Sequence, residues 1–167
     1  DWRNATFAIP FERAFWLADE AHDGQMRFSG ESYLSHPVAV ARIVMEYLAF
    51  RDGAYAAVAL LHDVLEDRRG FDERRIAHEL GSDILAGVRI LTKNPRNKRD
   101  YLRQIREGGV RERIVKLCDK IHNLATVAHM PRANGRTFVA HATRDYVPMA
   151  LELKHQLDQV DYHQANF

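Results

Sequence analysis

Two short runs concentrate the chemistry-bearing side chains of this chain: Leu60-Leu61-His62-Asp63-Val64-Leu65-Glu66-Asp67 and Lys116-Leu117-Cys118-Asp119-Lys120-Ile121-His122-Asn123. Each sets metal-competent donors inside an apolar, helix-compatible frame. On a helix advancing about 100° per residue, His62, Asp63, Glu66 and Asp67 share an arc of roughly 140°, and Leu61, Val64 and Leu65 take the opposite side. Such a helix buries one face and turns an imidazole and three carboxylates to the other. That face suits a divalent metal and the management of protons.

Further ligands follow from what a metal needs, several N or O donors converging from more than one element. Asp119 is the obvious carboxylate, with His122 and Asn123 three and four residues on along the same helical face. His36 is the other candidate, because Pro37 reads as the first residue of a helix and places the imidazole at its entrance. Two imidazoles and two carboxylates suit Mn²⁺ or Fe²⁺ and tolerate Zn²⁺ or Co²⁺. Taken singly, a His-Asp pair is more often a surface feature, His36 a loop histidine and Asp119 a salt-bridge partner for a nearby lysine or arginine. Their claim rests on the ensemble. Glu66 and Asp67 end a helix, where acids oppose the macrodipole, so their placement points to function rather than stability.

At these residues the chain resembles the HD-domain hydrolases of the Rel/SpoT type, which degrade the alarmone nucleotides (p)ppGpp. The likeness runs through Ala21-His22-Asp23-Gly24-Gln25-Met26-Arg27-Phe28-Ser29-Gly30-Glu31-Ser32-Tyr33-Leu34-Ser35-His36-Pro37, through Leu60 to Asp67 and through Val115 to Thr126. A weaker echo falls at Tyr146-Val147-Pro148-Met149-Ala150. The resemblance implies that His36, His62, Asp63 and Asp119 hold one Mn²⁺. It implies that Glu66 and Asp67 are the acidic pair of hydrolysis-competent members, and that Arg27, Ser29, Asn123, Thr126 and Tyr146 lie near bound nucleotide. The implied reaction removes the 3′-pyrophosphate of a guanosine 3′,5′-polyphosphate.

Two positions depart from that pattern. Phe28 stands where the family usually has lysine beside the base; lysine can donate to guanine O6 or N7, whereas phenylalanine can only stack or pack. An adenosine analogue, (p)ppApp, therefore stands beside (p)ppGpp as a candidate substrate. Ala125 stands where the family commonly has arginine. The rival expectations are a related phosphatase acting on another nucleotide such as NADPH, and a catalytically silent nucleotide-binding module. A basic run, Lys93, Arg96, Lys98, Arg99 and Arg103, offers a rim for a polyanion through electrostatic focusing, although a solvated basic face would look the same. A net charge of +1 with no basic stripe interleaved with aromatics excludes an ordinary nucleic-acid surface.

The elements that must carry these residues read as helices throughout. The 167 residues, 46% hydrophobic and 28% charged, fit one all-α domain spanning 1–167. The single cysteine, Cys118, reads as a buried thiol and fits a reducing cytoplasm. No apolar run is long enough for a membrane span, and no signal-peptide pattern is present. Apolar periodicity and punctuation predict helices from Pro10 to about Ala21, Pro37 to about Phe50 and Ala54 to Asp67. A short helix is predicted after an Asp72 cap, ending at Gly81, and another after a Ser82 cap. Further helices are predicted at Lys98–Glu107, Val110 to about His129 and Thr137 to about His163, the last kinked at Pro148. His22 is expected to support the loop before His36, and His122 to orient a carboxylate from outside the ligand set.

Overall fold

The computed structural model describes residues 5–47, 52–93 and 98–164. They form helices α1 (Ala5–Ala21), α2 (Ser35–Arg42), α3 (Gly53–Leu61), α4 (Val64–Asp67), α5 (Arg74–Leu80), α6 (Ser82–Leu91), α7 (Lys98–Glu107), α8 (Val110–Ala125), α9 (Arg132–His141) and α10 (Val147–Gln164). Among the described residues the one β feature is an isolated bridge between Met26 and Ser32. The all-α expectation is met. No helix is long and apolar enough to cross a membrane among the described residues.

Helix α3 is the axis of the bundle. Its sequence, Gly-Ala-Tyr-Ala-Ala-Val-Ala-Leu-Leu, is buried without interruption from Ala56 to Leu61. A helix apolar on every side can only be central, and α1, α2, α6 and α8 surround it. Alanines on α3 face Ala14, Ala18 and Ala21 of α1 in the same core, and these small side chains let the two helix axes approach closely. Asp52 starts α3 by accepting the Ala54 N–H at 2.9 Å. A second, smaller cluster of Tyr101, Ile105 and Met149 ties α7 to α10.

Several boundaries differ from expectation. Helix α1 runs through Pro10 instead of starting there, and α2 begins at Ser35, so His36 is its second residue. The expected helix from Ala54 to Asp67 is broken at His62-Asp63, where Asp63 adopts φ −102° and ψ −8°. Its carbonyl then accepts the N–H groups of both Glu66 and Asp67, at 3.1 and 2.9 Å, so the acidic pair still follows one turn on. Gly81, at φ 97°, separates α5 from α6 in a conformation open to glycine. Ser82 lies inside α6 and is not its cap. Helix α8 stops at Ala125, short of His129. Ahead of Pro148 the chain widens into a π-turn over Ala142–Tyr146, an adjustment to a residue that has no N–H and crowds the carbonyl four residues back.

Gly87 of α6 sits where α3, α6 and α8 meet. A Cβ there would lie 2.7 Å from Glu112 Oε1, 3.0 Å from an Arg111 terminal nitrogen and 3.1 Å from Val58 Cγ2. Glu112 is buried and held by Arg111 Nε at 2.8 Å, so it has little room to yield. Gly87→Ala is expected to lower stability by about 1–2 kcal/mol, overpacking outweighing the gain in helix propensity. Urea denaturation measures this as a lower midpoint at unchanged slope.

Candidate metal centre and its surroundings

Three helices deliver the expected ligands to one point. His36 comes from the start of α2, His62 and Asp63 from the break between α3 and α4, and Asp119 from the middle of α8. His36, His62 and Asp119 are 1%, 0% and 2% exposed. One donor atom each of His36, His62 and Asp63 lies within 4.8 Å of the others. Asp119 Oδ1 completes the group at 3.3 Å from His36 Nε2 and 3.9 Å from His62 Nε2.

The donors are prepared for a cation. His62 Nδ1 donates to the Ala59 carbonyl at 2.7 Å, which fixes the proton there and turns the Nε2 lone pair inward. That Nε2 is fully buried without a hydrogen-bond partner, although Asp63 Oδ2 stands 3.2 Å away. A buried nitrogen left unpaired among carboxylate oxygens is what a metal would satisfy. Burial alone would raise the carboxyls of Asp63 and Asp119. Charged His62 beside Asp63, and Lys116 and Lys120 beside Asp119, prevail and hold both well below the usual range, a pull that a cation on His62 Nε2 would exert in place of the proton. Both therefore stay ionised, as ligation requires. The residues present thus fit a divalent ion.

Neighbouring side chains lock this set in place. Tyr33 donates its hydroxyl to Asp63 Oδ2 at 2.7 Å; burial and then the Asp63 charge push that hydroxyl far up, so it remains a donor. His22 stacks on Tyr33 with ring centroids 4.7 Å apart, and its Nδ1 meets Gln25 Oε1 at 2.9 Å. Gln25 in turn donates to Asp67 Oδ2 at 2.9 Å. His122 does not orient a carboxylate. Its Nδ1 lies 2.8 Å from Nδ1 of His36, and burial followed by His36 and Arg27 pushes it down to about 4. A neutral His122 can accept a proton from His36 Nδ1, the tautomer that leaves His36 Nε2 free to ligate.

Beside the centre lies a recess of about 290 Å³ lined by Met26, Arg27, Phe28, Ser29, Tyr33, Asn123, Thr126, His129 and Met130. The hairpin from Arg27 to Gly30 closes on itself, Arg27 N–H bonding to the Glu31 carbonyl at 2.9 Å and Gly30 N–H to the Arg27 carbonyl at 3.0 Å. Gly30 makes this turn at φ 82°. The hairpin carries Arg27 to Asn123 Oδ1 at 3.3 Å and Thr126 Oγ1 at 3.1 Å. Asn123 also donates to Asp119 Oδ1, linking the recess to the ligands. Phe28, 69% exposed, lines its mouth.

Glu66 lies one turn beyond Asp63, its Oε2 accepting the Lys93 N–H at 3.2 Å and its Oε1 3.5 Å from Lys93 Nζ. Lys93 of the basic run is thus brought to the acidic pair. Arg103 is not, being held by Asp100 and Glu107 of its own helix at 3.2 and 3.8 Å. Arg96 and the side chains of Lys98 and Arg99 lie outside the described residues. Tyr146 is brought close through Lys120, whose ammonium lies 5.3 Å over its ring. The sequence reading missed Lys116 and Lys120, which grip Asp119 Oδ2 at 2.8 and 3.1 Å. The signal was present, since Lys116 precedes Asp119 by three residues and Lys120 follows it, but it is the pattern of any surface ion pair.

A buried His-Asp centre on an all-α bundle defines a class, and the chain belongs to the HD domain family, whose match covers residues 14–153. The chloroplastic RSH1 protein of rice (Oryza sativa subsp. japonica) is 36% identical over 155 residues, covering 82% of this chain and 17% of that protein. A Borreliella burgdorferi protein named guanosine-3′,5′-bis(diphosphate) 3′-pyrophosphohydrolase is 30% identical over 165 residues, covering 89% of this chain and 24% of that one. The chain therefore spans a quarter or less of these relatives' own length. A solved metazoan ortholog of SpoT, described as hydrolysing ppGpp, superposes with a TM-score of 0.75 at 22% identity, covering 93% of this chain and 95% of that one. That likeness is one of fold.

Proposed function

We propose that this single HD domain removes the 3′-pyrophosphate of a nucleoside 3′,5′-polyphosphate, (p)ppGpp or its adenosine analogue (p)ppApp, with one Mn²⁺ held by His36, His62, Asp63 and Asp119. What carries the reading is the convergence of buried His36 and His62 with half-buried Asp63, joined by buried Asp119, beside the recess that gathers Arg27, Asn123 and Thr126. The relatives named as 3′-pyrophosphohydrolases support it. The single cysteine, Cys118, buried and unpaired, supports a cytoplasmic setting.

When bound, the metal supplies charge neutralisation at phosphoryl oxygens and acidifies water. The chain's own groups do the remainder. Glu66, held by Lys93 and one turn from Asp63, accepts a proton from the attacking water, and Asp67, fixed by Gln25, orients it. Water displaces the ribose 3′-oxygen from phosphorus, pyrophosphate departs, and the 3′-oxygen takes up a proton. Arg27, Asn123 and Thr126, with Ser29, line the wall against which the nucleoside is held, and Lys93 faces its phosphates.

The test is turnover of ppGpp and ppApp side by side with Mn²⁺, resolving both products. Pyrophosphate release from either substrate supports the assignment. Orthophosphate release transfers it to a phosphatase acting on a nucleotide such as NADPH, and binding without turnover transfers it to a silent module. Phe28→Lys is expected to move the ppGpp-to-ppApp ratio of kcat/KM toward guanine by about tenfold, the worth of one charged hydrogen bond to the base edge. An unchanged ratio would remove Phe28 from base selection.

A further inference from the structure

Asp119 divides its two oxygens between opposite tasks. Oδ1 faces His36 and His62, while Oδ2 receives Lys116 Nζ at 2.8 Å and Lys120 Nζ at 3.1 Å. One ammonium would suffice to anchor that oxygen. Lys116 is suited to it, being 4% exposed and seated over the Tyr101 ring at 5.4 Å. Lys120 is then in excess. Its ammonium lies 5.3 Å over both the Phe138 and Tyr146 rings, which hold it in place but carry no countercharge. Among the described residues, the carboxylate oxygen within ion-pair reach of Lys120 is the one it shares with Lys116. An ammonium has three donors, and the Lys120 side chain keeps 16% exposure toward solvent.

The charges point the same way. Asp63 and Asp119 could balance a divalent ion by themselves. Two added ammonium groups exceed that balance by two positive charges and weaken the hold on a cation, a poor arrangement for metal storage alone. Glu66 does not compensate them, because Lys93 already pairs with it. A group carrying two negative charges, arriving with the substrate or leaving with the product, restores neutrality.

We infer that Lys120, with its ammonium set by Phe138, Tyr146 and the Asp119 carboxylate, binds an anionic phosphoryl oxygen of the pyrophosphoryl group, with Lys116 holding Asp119 behind it. The inference rests on the proposed reaction only for the identity of that anion. The site favours an incoming phosphate at a modest cost in metal affinity.

The probe is inorganic pyrophosphate, titrated calorimetrically into Mn²⁺-loaded protein freed of excess metal, for the wild type, Lys120→Met and Lys120→Arg. Mn²⁺ affinity is measured separately. Lys120→Met is expected to weaken pyrophosphate binding by about tenfold or more, the loss of one charge-assisted hydrogen bond, with Lys120→Arg recovering most of it. Mn²⁺ affinity should hold or tighten in Lys120→Met, because a repelling charge is gone. Unchanged pyrophosphate affinity overturns the inference. A parallel loss of pyrophosphate and Mn²⁺ affinity also overturns it, since Lys120 would then serve only to position Asp119. Should Lys120→Met fail to fold, Lys120→Gln takes its place with the same two readouts. None of these outcomes depends on which nucleotide is turned over, so failure of the proposed substrate and failure of this inference are separable.

Discussion

Asp63→Ala is expected to abolish measurable turnover, a fall on the order of a thousandfold or more, because the several kcal/mol of Lewis-acid stabilisation are lost with the metal. Mn²⁺ affinity should drop by at least about a hundredfold, the upper end of what an outer partner of a ligand contributes. Asp63 Oδ2 is the common point of the centre, 3.2 Å from His62 Nε2, 3.5 Å from His36 Nε2 and 2.7 Å from the Tyr33 hydroxyl. Its removal takes away a donor and leaves that hydroxyl without its acceptor. Calorimetric Mn²⁺ titration beside a product assay checks both parts. Metal affinity near the wild-type value would move the ligand role elsewhere.

Glu66→Gln should separate metal binding from chemistry. The amide oxygen can still accept from the Lys93 N–H, and Glu66 lies outside the group of converging donors. Mn²⁺ affinity is therefore expected to stay within about twofold, while kcat falls by about 10²–10⁴, the usual worth of a positioned general base. A kcat close to wild type would take the base assignment from Glu66. Asp67→Asn, which leaves Gln25 an acceptor in the amide oxygen, would then be the next variant.

Much of the centre was legible because its signals are local and unusual. His62-Asp63 followed by Glu66-Asp67 between leucines announces a polar face on a buried helix, and Asn123 and Thr126 lie along the same helix as Asp119 or at its end. A continuous helical wheel over these residues does not describe the chain, since the helix breaks at His62-Asp63. The four side chains still assemble because the Asp63 carbonyl gathers the next two N–H groups into a fresh turn. Nothing in the apolar spacing marks that break, which depends on His62 being drawn inward and on its bond to Ala59. Lys116 and Lys120 were illegible for a different reason. A lysine three residues before an aspartate looks like a solvated pair, and only the packing of Tyr101, Phe138 and Tyr146 around α8 buries Lys116 and half-buries Lys120. His122 had the right neighbourhood and the wrong partner, because the proximity of α2 to α8 is a tertiary fact.

The four proposed ligands lie on α2, at the α3–α4 junction and on α8, and only His62 and Asp63 are neighbours in sequence. An unfolded chain cannot bring them together, so a bound ion belongs to the native state alone and acts as a cross-brace between three helices. At a free concentration a hundred times its dissociation constant, such an ion adds about 2.7 kcal/mol to the unfolding free energy, a large share of what holds a domain of this size together. Metal supply then governs lifetime as well as rate. On the proposed ligand set, a metal-starved domain is expected to lose its chemistry and, through the same four side chains, its resistance to unfolding and proteolysis.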